Sequence, residues 1–297
     1  MDISKLPAPE VIQQISYETV LAAMLADLQA LDPTLTLGPS DPGYKILEVA
    51  AYREMLIRQE MNDRAKGLLL AFASGSDLDH LGATYFKTLR LVIDAGNPTA
   101  IPPVPATYES DAAYLARILL SEDSYSTAGP VEAYIYHASS ADGQVKDISV
   151  TSPSAGSVVV TVLSHTGTGT ADALLIAAVE NALGDGVRPM TDQVTVQSAS
   201  IVLYTVDATL TIYPSANAAS VQAAAEASLV AWLDTQHRIG RDITVTGVAA
   251  ALKIEGVHDV TLNDTLNGTD LVANLVVTDT EAAYCSGVTV VVGGSGG

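Results

Sequence analysis

The sequence predicts an α+β protein. An N-terminal helical region with one long helix is followed by two related strand–helix–strand modules and a short β-rich C-terminus. Three observations carry that prediction. Apolar residues recur every three to four positions through the first third of the chain. From about Asp147 the apolar period drops to two. In that second half Val158, Val160 and Val162 recur as Ala208, Leu210 and Ile212, and the same offset holds onward.

The elements follow in order. Residues 16–31 set Val20, Leu21, Met24, Leu25, Leu28 and Leu31 on one helical face, with Ser16 as the cap and Pro33 beyond the end. The long helix starts at Asp41 as N-cap with Pro42 pre-set for the first helical position. Its pattern runs to Ser74, with Gly75 as the expected stop. Ile46, Leu47, Ala50, Ala51, Glu54, Ile57 and Met61 trace its stripe. Glu54 to Arg58 and Glu60 to Arg64 are acid-before-base pairs at i,i+4, each worth about 0.3–0.5 kcal/mol. A helix of roughly 45 Å at 1.5 Å per residue is longer than a compact enzyme of this size needs, which favours bundling with a partner. A short helix spans Asp77 to Ala83, capped by Ser76 or Asp77, with Leu78 and Leu81 inward. Four prolines in 94–110 mark a linker. Two helices return, over Asp111 to Leu120 (inward Tyr114, Leu115, Ile118, Leu119) and Pro130 to Ala141 (inward Val131, Tyr134, Ile135, Ala138).

In the repeat, Val179 falls on Leu229, Leu183 on Leu233, Arg188 on Arg238, Asp192 on Asp242, and Val194 and Val196 on Thr244 and Thr246. Each unit thus reads strand, Ala-rich helix, Arg-bearing turn, Asp, strand. Each arginine is expected to pair with its aspartate or to cap carbonyls. The second copy adds a helix over Val248 to Ile254 and a strand over Val257 to Leu262. Strands are expected over Leu271 to Val277 and Val288 to Val292, and the GGSGG ending reads as a disordered tail. The expected divisions are 1–93 (helical, for an intersubunit bundle), 94–146 (linker and helical connector), 147–200 and 201–265 (the two modules), and 266–297 (β-rich segment and tail).

Composition narrows the function. The 297 residues carry 34 acids against 14 bases, a net charge of −20, which repels phosphate backbones and anionic lipid heads. Neither nucleic acid nor membrane is an expected partner. With 48% hydrophobic residues the chain has enough for a core. One cysteine, Cys285, leaves no internal disulfide and no multi-cysteine metal site. The longest purely apolar runs, such as Leu174 to Val179, are far short of the ~18 residues of a membrane span. The opening MDISKLPAPE has neither a basic n-region nor an apolar h-region, so cytoplasmic synthesis is expected. Residues 1–118 hold 15 acids and 9 bases, and 119–297 hold 19 and 5. Five bases (Lys45, Arg53, Arg58, Arg64, Lys66) crowd one stretch of the long helix. That stretch is either a solvated face laced with ion pairs or a contact surface for acidic protein.

The search for reactive constellations is thin. The five histidines show neither H-x-x-x-H nor H-E-x-x-H spacing. Asp77, Asp79 and His80 could ligate a divalent ion, but helix capping explains them more simply. The segment SHTGTGTAD, Ser164 to Asp172, leads from strand to helix as a phosphate cradle does, yet lacks a third glycine and a G-K-[ST] ending. The segment DTLNGTD, Asp264 to Asp270, loosely follows a calcium loop but has Leu266 at a ligand position; turn chemistry at Asn267-Gly268 explains it better. No G-x-S-x-G occurs, and Cys285 reads as a small strand residue. No catalytic, metal or cofactor residue is assigned.

Four motifs in order resemble the baseplate-J family of contractile tails. The stretch DPGYKILEVAAYREMLIRQEMNDRAKGLLLAFASG from Asp41, followed by Asp77-Leu78-Asp79-His80-Leu81, is similar to the family's D-P-x-x-x-x-L-E-x-x-A-Y-R-E helix and G-x-D-L-D-x-L element. Glu109, Asp111 and Arg117, then Ala128, Gly129, Pro130, Ala133 and Tyr134, match its second pattern. Val145 to Val162 matches V-x-D-I-x-V-x-S-P-x-x-G-x-V-x-V-x-V, and Val187 to Val196 the V-R-P-x-T-D-x-V-x-V element. The resemblance covers about residues 5–265.

The resemblance implies a non-enzymatic wedge subunit of the baseplate in phage tails, R-type pyocins or related injection systems. Its implied partners are a second copy of itself and a smaller wedge subunit in a heterotrimer, with the central hub and sheath-initiating baseplate proteins beyond. Six wedges would ring the hub, with the N-terminal helices in an intersubunit bundle and the C-terminal modules pairing around the ring. Contraction would rearrange these contacts. The implied location is the tail baseplate of a virion or pyocin-like particle. Helical periodicity together with the motif gives the expected partner-binding residues Tyr44, Leu47, Ala51, Tyr52, Met55, Arg58 and Met61. The alternative is a cell-surface or carbohydrate-binding tail protein, which would need exposed aromatic platforms; the single tryptophan, Trp232, sits in a helical stripe instead. A hydrolase on the α+β modules is a third reading and would need polar groups converging in a cleft.

Overall fold

A computed structural model describes residues 6–7, 16–126, 128–263 and 271–296. They form two compact units, residues 1–89 and 90–297. The fold is mixed α+β with helices first and a β-rich end.

The N-terminal unit holds three helices. In α1 (Tyr17–Leu31) the Ser16 hydroxyl accepts from the Thr19 N–H, as a cap should. Val20 and Leu21 pack with Ala51, Tyr44 and Leu47 of α2 (Pro42–Gly67). Leu31, expected inward, is exposed because it is the last helical residue. Asp41 stands at the N-cap of α2, but its carboxylate accepts from the Gly38 N–H and makes no cap bond. The helix ends seven residues before the expected Ser74. Leu68 closes it, and Gly67 is where a Cβ would come within 2.7 Å of the Asp77 carboxylate. Gly75 therefore stops nothing: it is the first residue of α3 (Gly75–Tyr85), whose cap position is Ser74 instead of Ser76 or Asp77. Leu78 is buried there as expected.

The C-terminal unit opens with the Pro-rich segment. It is tied down as a ribbon, β1 (Val92–Asp94) against β2 (Thr107–Tyr108), with Asn97 bridging Val104. In α4 (Asp111–Leu120) Tyr114 and Ile118 are buried with Arg117, while Leu119 points out. In α5 (Val131–Ser139) Ala133, Tyr134 and Ala138 are buried and Val131 is exposed. The two misplaced residues sit one helical step off the buried face that tertiary packing selects.

The first sheet has the order β3-β4-β5, from β3 (Val145–Ser154), β4 (Ser157–Ser164) and β5 (Gln193–Ser198). Central β4 is antiparallel to β3 and parallel to β5, with α6 (Ala173–Ala182) as the crossover. Val158, Val160 and Val162 pack with Leu175, Val179, Leu183, Tyr134 and Ala138, while Thr161 and Leu163 are buried on the other face. A strand covered on both faces reads as a near-continuous apolar run, which SVVVTVLS is.

The second sheet has the order β7-β6-β8, from β6 (Ser200–Ile212), β7 (Val257–Leu262) and β8 (Glu281–Ser295). Tyr204, Val206, Ala208, Leu210 and Ile212 alternate inward against Ala225, Leu229 and Leu233 of α7 (Ala218–Gln236) and Val248 and Leu252 of α8 (Val245–Leu252). Central β6 is also antiparallel to one neighbour, β7, and parallel to the other, β8.

The repeat is thus present with its parts reordered. The antiparallel neighbour precedes the central strand in the first sheet and follows it in the second. The offset holds for strand and helix: Val179 and Leu229 are both fully buried. It fails at Thr244 and Thr246, which start α8 where a strand was expected, because the Thr244 hydroxyl accepts from the Gly247 N–H and caps a helix. The arginines also leave their expected partners. Arg188 pairs with Asp185 at 2.7 Å, while Asp192 accepts from the Tyr134 hydroxyl; Arg238 lies 3.8 Å from Asp147, while Asp242 accepts from the Val277 N–H.

Two C-terminal expectations change as well. Residues 271–277 make one isolated β-bridge, Ile243 to Leu275, in place of the expected strand. The glycine-rich ending is ordered up to Gly296, since β8 pairs with β6 as far as Ser295. The DTLNGTD segment lies outside the described residues.

Candidate intersubunit surfaces

At about 39 Å for 26 residues, α2 extends beyond what α1 covers, and it has two apolar faces. The inner face carries Tyr44, Leu47 and Ala51, which pack on α1. Of the predicted partner residues these three are already engaged within the chain. Met55 and Arg58 are half-buried on the same side. Tyr52 (51% exposed) and Met61 (52%) are open. Opposite the inner face lie Ile46 (70%), Val49 (61%), Leu56 and Ile57 (53%). At 100° per residue this outer stripe is centred about half a turn from Ala51. Val49 and Leu56 lie outside the single stripe that the apolar period marks, because the helix is apolar on two sides. The signal that could have found them is present, since Val49, Leu56 and Ile57 recur at i, i+7 and i+8.

The basic stretch mostly folds back on its own helix. Arg58 reaches Glu54 at 2.5 Å, Arg64 reaches Glu60 at 2.8 Å, and Lys45 reaches Glu48 at 2.8 Å. Such exposed pairs contribute about 0–1 kcal/mol each. Arg53 is exposed on the outer stripe between Val49 and Ile57.

The motif residues Glu109, Asp111 and Arg117 form a structural knot. Arg117 is buried, pairs with the Glu109 carboxylate and donates to Ser140 Oγ at 3.2 Å. The Glu109 carboxylate also accepts from the Leu91 N–H at 2.9 Å. Arg90 donates to the Glu109 carbonyl and to Asp111 at 2.6 Å. Both guanidinium groups lie over the Tyr114 ring, at 4.8 and 5.6 Å from its centroid. The later motif pair, Tyr134 with Asp192, joins α5 to the turn before β5 at 2.7 Å, and burial pushes the Tyr134 hydroxyl pKa upward.

Reactive chemistry is sparse among the described residues. No three His, Cys, Asp or Glu side chains could hold a metal ion together, and Asp77, Asp79 and His80 form no such group. In the SHTGTGTAD turn Asp172 accepts from the Leu175 N–H, so a carboxylate occupies the helix N-terminus where a phosphate would sit. A groove of about 280 Å³ lies between α7 and β8, lined by Val230, Leu233, His237, Tyr284, Cys285 and Val288. Burial raises the Cys285 thiol pKa, the reverse of what an activated nucleophile needs. No helix among the described residues is long and apolar enough to cross a membrane.

Residues 39–97 match the baseplate J-like N-terminal domain, residues 126–198 the central domain and residues 204–291 the C-terminal domain. The chain is also 45% identical to baseplate protein J of Escherichia phage P2 over 305 aligned positions, covering 99% of this chain and 98% of that protein. The chain belongs to the baseplate J-like family. Its outer α2 stripe and its Glu109–Arg117 knot are therefore features of a baseplate structural protein. The N-terminal match ends at residue 97, close to the division between the compact units at residues 89 and 90.

Proposed function

We propose that this baseplate protein is a wedge subunit of a contractile injection system, forming the ring around the central hub and rearranging on contraction. The observation that carries the reading is the outer face of α2, where Ile46, Val49, Leu56 and Ile57 leave an apolar stripe exposed on a helix whose opposite side is already packed. An apolar stripe left exposed on a helix already packed on its other side marks a contact with another chain. The cover proposed is helical and comes from a second copy and a smaller wedge subunit, with hub and sheath-initiating proteins as further neighbours. Tyr52 and Met61 border that contact, and Tyr44, Leu47, Ala51, Met55 and Arg58 support it from the inner side. The role is architectural and needs no catalytic centre. Synthesis in the bacterial cytoplasm and residence in the tail baseplate follow from it.

Co-expression with the smaller wedge subunit, followed by size-exclusion chromatography with light scattering, tests the reading. The expected species is a complex of two copies with one smaller subunit. A chain that elutes as a monomer both alone and after co-expression contradicts it.

A further inference from the structure

The two sheets of the C-terminal unit are joined covalently by a single residue, Ala199, between β5 and β6. Around it lies a small apolar cluster of Leu163, Ala199 and Ala282, flanked by Ile201 and Ile239. A ring of polar contacts closes the joint. Lys146 of β3 donates to Asp234 of α7 at 2.7 Å and lies 3.3 Å from Nδ1 of His237, just past the end of α7. Asp147 accepts from the Ile239 N–H at 2.9 Å and lies 3.8 Å from Arg238. These contacts run from the first sheet to the cover of the second, across separations of 88 to 92 residues.

An ammonium has donors and no lone pair, so His237 meets Lys146 as an acceptor, through a neutral imidazole with an unprotonated Nδ1. The ring is buried, its Nε2 side lies against Gly169, and the Tyr284 ring stands edge-on to it at 5.2 Å. Protonated Nδ1 would place a donor and a second positive charge 3.3 Å from Lys146 Nζ, replacing an accepting contact by a repulsive one. We propose that this joint is an acid-released latch: a proton on His237 expels Lys146 and loosens the first sheet from the second.

The groups facing His237 are Lys146 from β3, His165 after β4, Asp234 from α7, and Tyr284 and Cys285 from β8, while Asp147 and Arg238, next in sequence to Lys146 and His237, lie 3.8 Å from each other. Burial and then Lys146 hold both His237 and His165 below the usual histidine pKa. A depressed histidine favours the closed joint fully above its ordinary pKa of about 6.5, and loses that contribution as the pH falls toward the value in the closed joint. Burial raises the Asp147 carboxyl instead, so closing is opposed when it is ionised, and acid relieves that cost. The histidine and the aspartate thus push in opposite directions, and release needs the histidine to dominate.

Amide exchange at Ile239, corrected for the intrinsic pH effect, reads the latch in the full-length chain. Opening is expected to rise on going from pH 7.5 to 5.5, by up to about tenfold for each unit by which the closed joint depresses the histidine. His237→Asn keeps an acceptor near Nδ1 and cannot be protonated, so the acid-driven rise in opening should be lost, leaving the opposing Asp147 response. Asp147→Asn removes the competing titration and should keep the acid response. A flat profile in the unaltered chain, an undiminished response in His237→Asn, or a lost response in Asp147→Asn overturns the proposal. If His237→Asn does not fold, an imidazole titration in the unaltered chain decides. His237 titrating below 6.5 together with a change at Ile239 supports the latch, and titration at 6.5 or above overturns it.

Discussion

Arg117 and Glu109 form a buried ion pair in which each side chain is at least nine-tenths covered. Removing one partner of such a pair strands the other charge, at a cost of about 3–5 kcal/mol. Arg117→Met is expected to lower the denaturation free energy of the C-terminal unit by that order. Arg64→Met, which breaks an exposed pair in the N-terminal unit, should lower the denaturation free energy of that unit by at most about 1 kcal/mol in a parallel denaturant titration. In the sequence these residues are legible as a family pattern without their role, because Arg117 finds Ser140 a helix away in space and 23 positions away in the chain. The opposite error befell Arg188 and Arg238. Their spacing from Asp192 and Asp242 invited pairing, but Tyr134 and the Val277 N–H claim those carboxylates.

Helix α2 was legible as an element, and its second apolar face was not, since periodicity locates an apolar stripe without saying which side a neighbour takes. Its early end falls at Gly67, a glycine stop that stands close to the Asp77 carboxylate. Val49→Glu with Ile57→Glu should leave helix content by circular dichroism near that of the parent, because both side chains are exposed. The same pair should abolish recovery of the wedge complex. Strand β8 teaches the converse lesson. GGSGG looks unstructured by composition, yet the Gly296 N–H donates to the Ile212 carbonyl at 2.9 Å, and Gly294 and Ser295 face Thr211 and Ile212 in the ladder. Those glycines have room for the Thr209 and Thr211 methyls, which a Cβ at Gly293 or Gly296 would crowd. Truncation after Val292 is expected to cost about 1–3 kcal/mol, for a few backbone bonds at about 0.5–1.5 kcal/mol each. Thermal unfolding measures it, and an unchanged midpoint would mean that the tail contributes nothing.

Across the whole molecule, the switch from helical to strand periodicity located the two kinds of structure, and the recurrence in the second half located two sheets with matching central strands. The reordering of their neighbours was not legible, because the recurrence covers only strand and helix and is silent on which strand returns to the sheet edge. The net charge of −20 remains a whole-chain property. With Arg58 and Arg64 neutralised along their own helix, the proposed subunit contact is governed by apolar cover, so assembly is expected to depend only weakly on salt. The central claim is that the outer face of α2 is covered in the assembled baseplate. A photo-crosslinking residue at Val49, activated in intact particles, tests it most directly. The account predicts crosslinks from that position to a second copy or to the smaller wedge subunit. Particles that assemble fully while Val49 crosslinks only to water would contradict it.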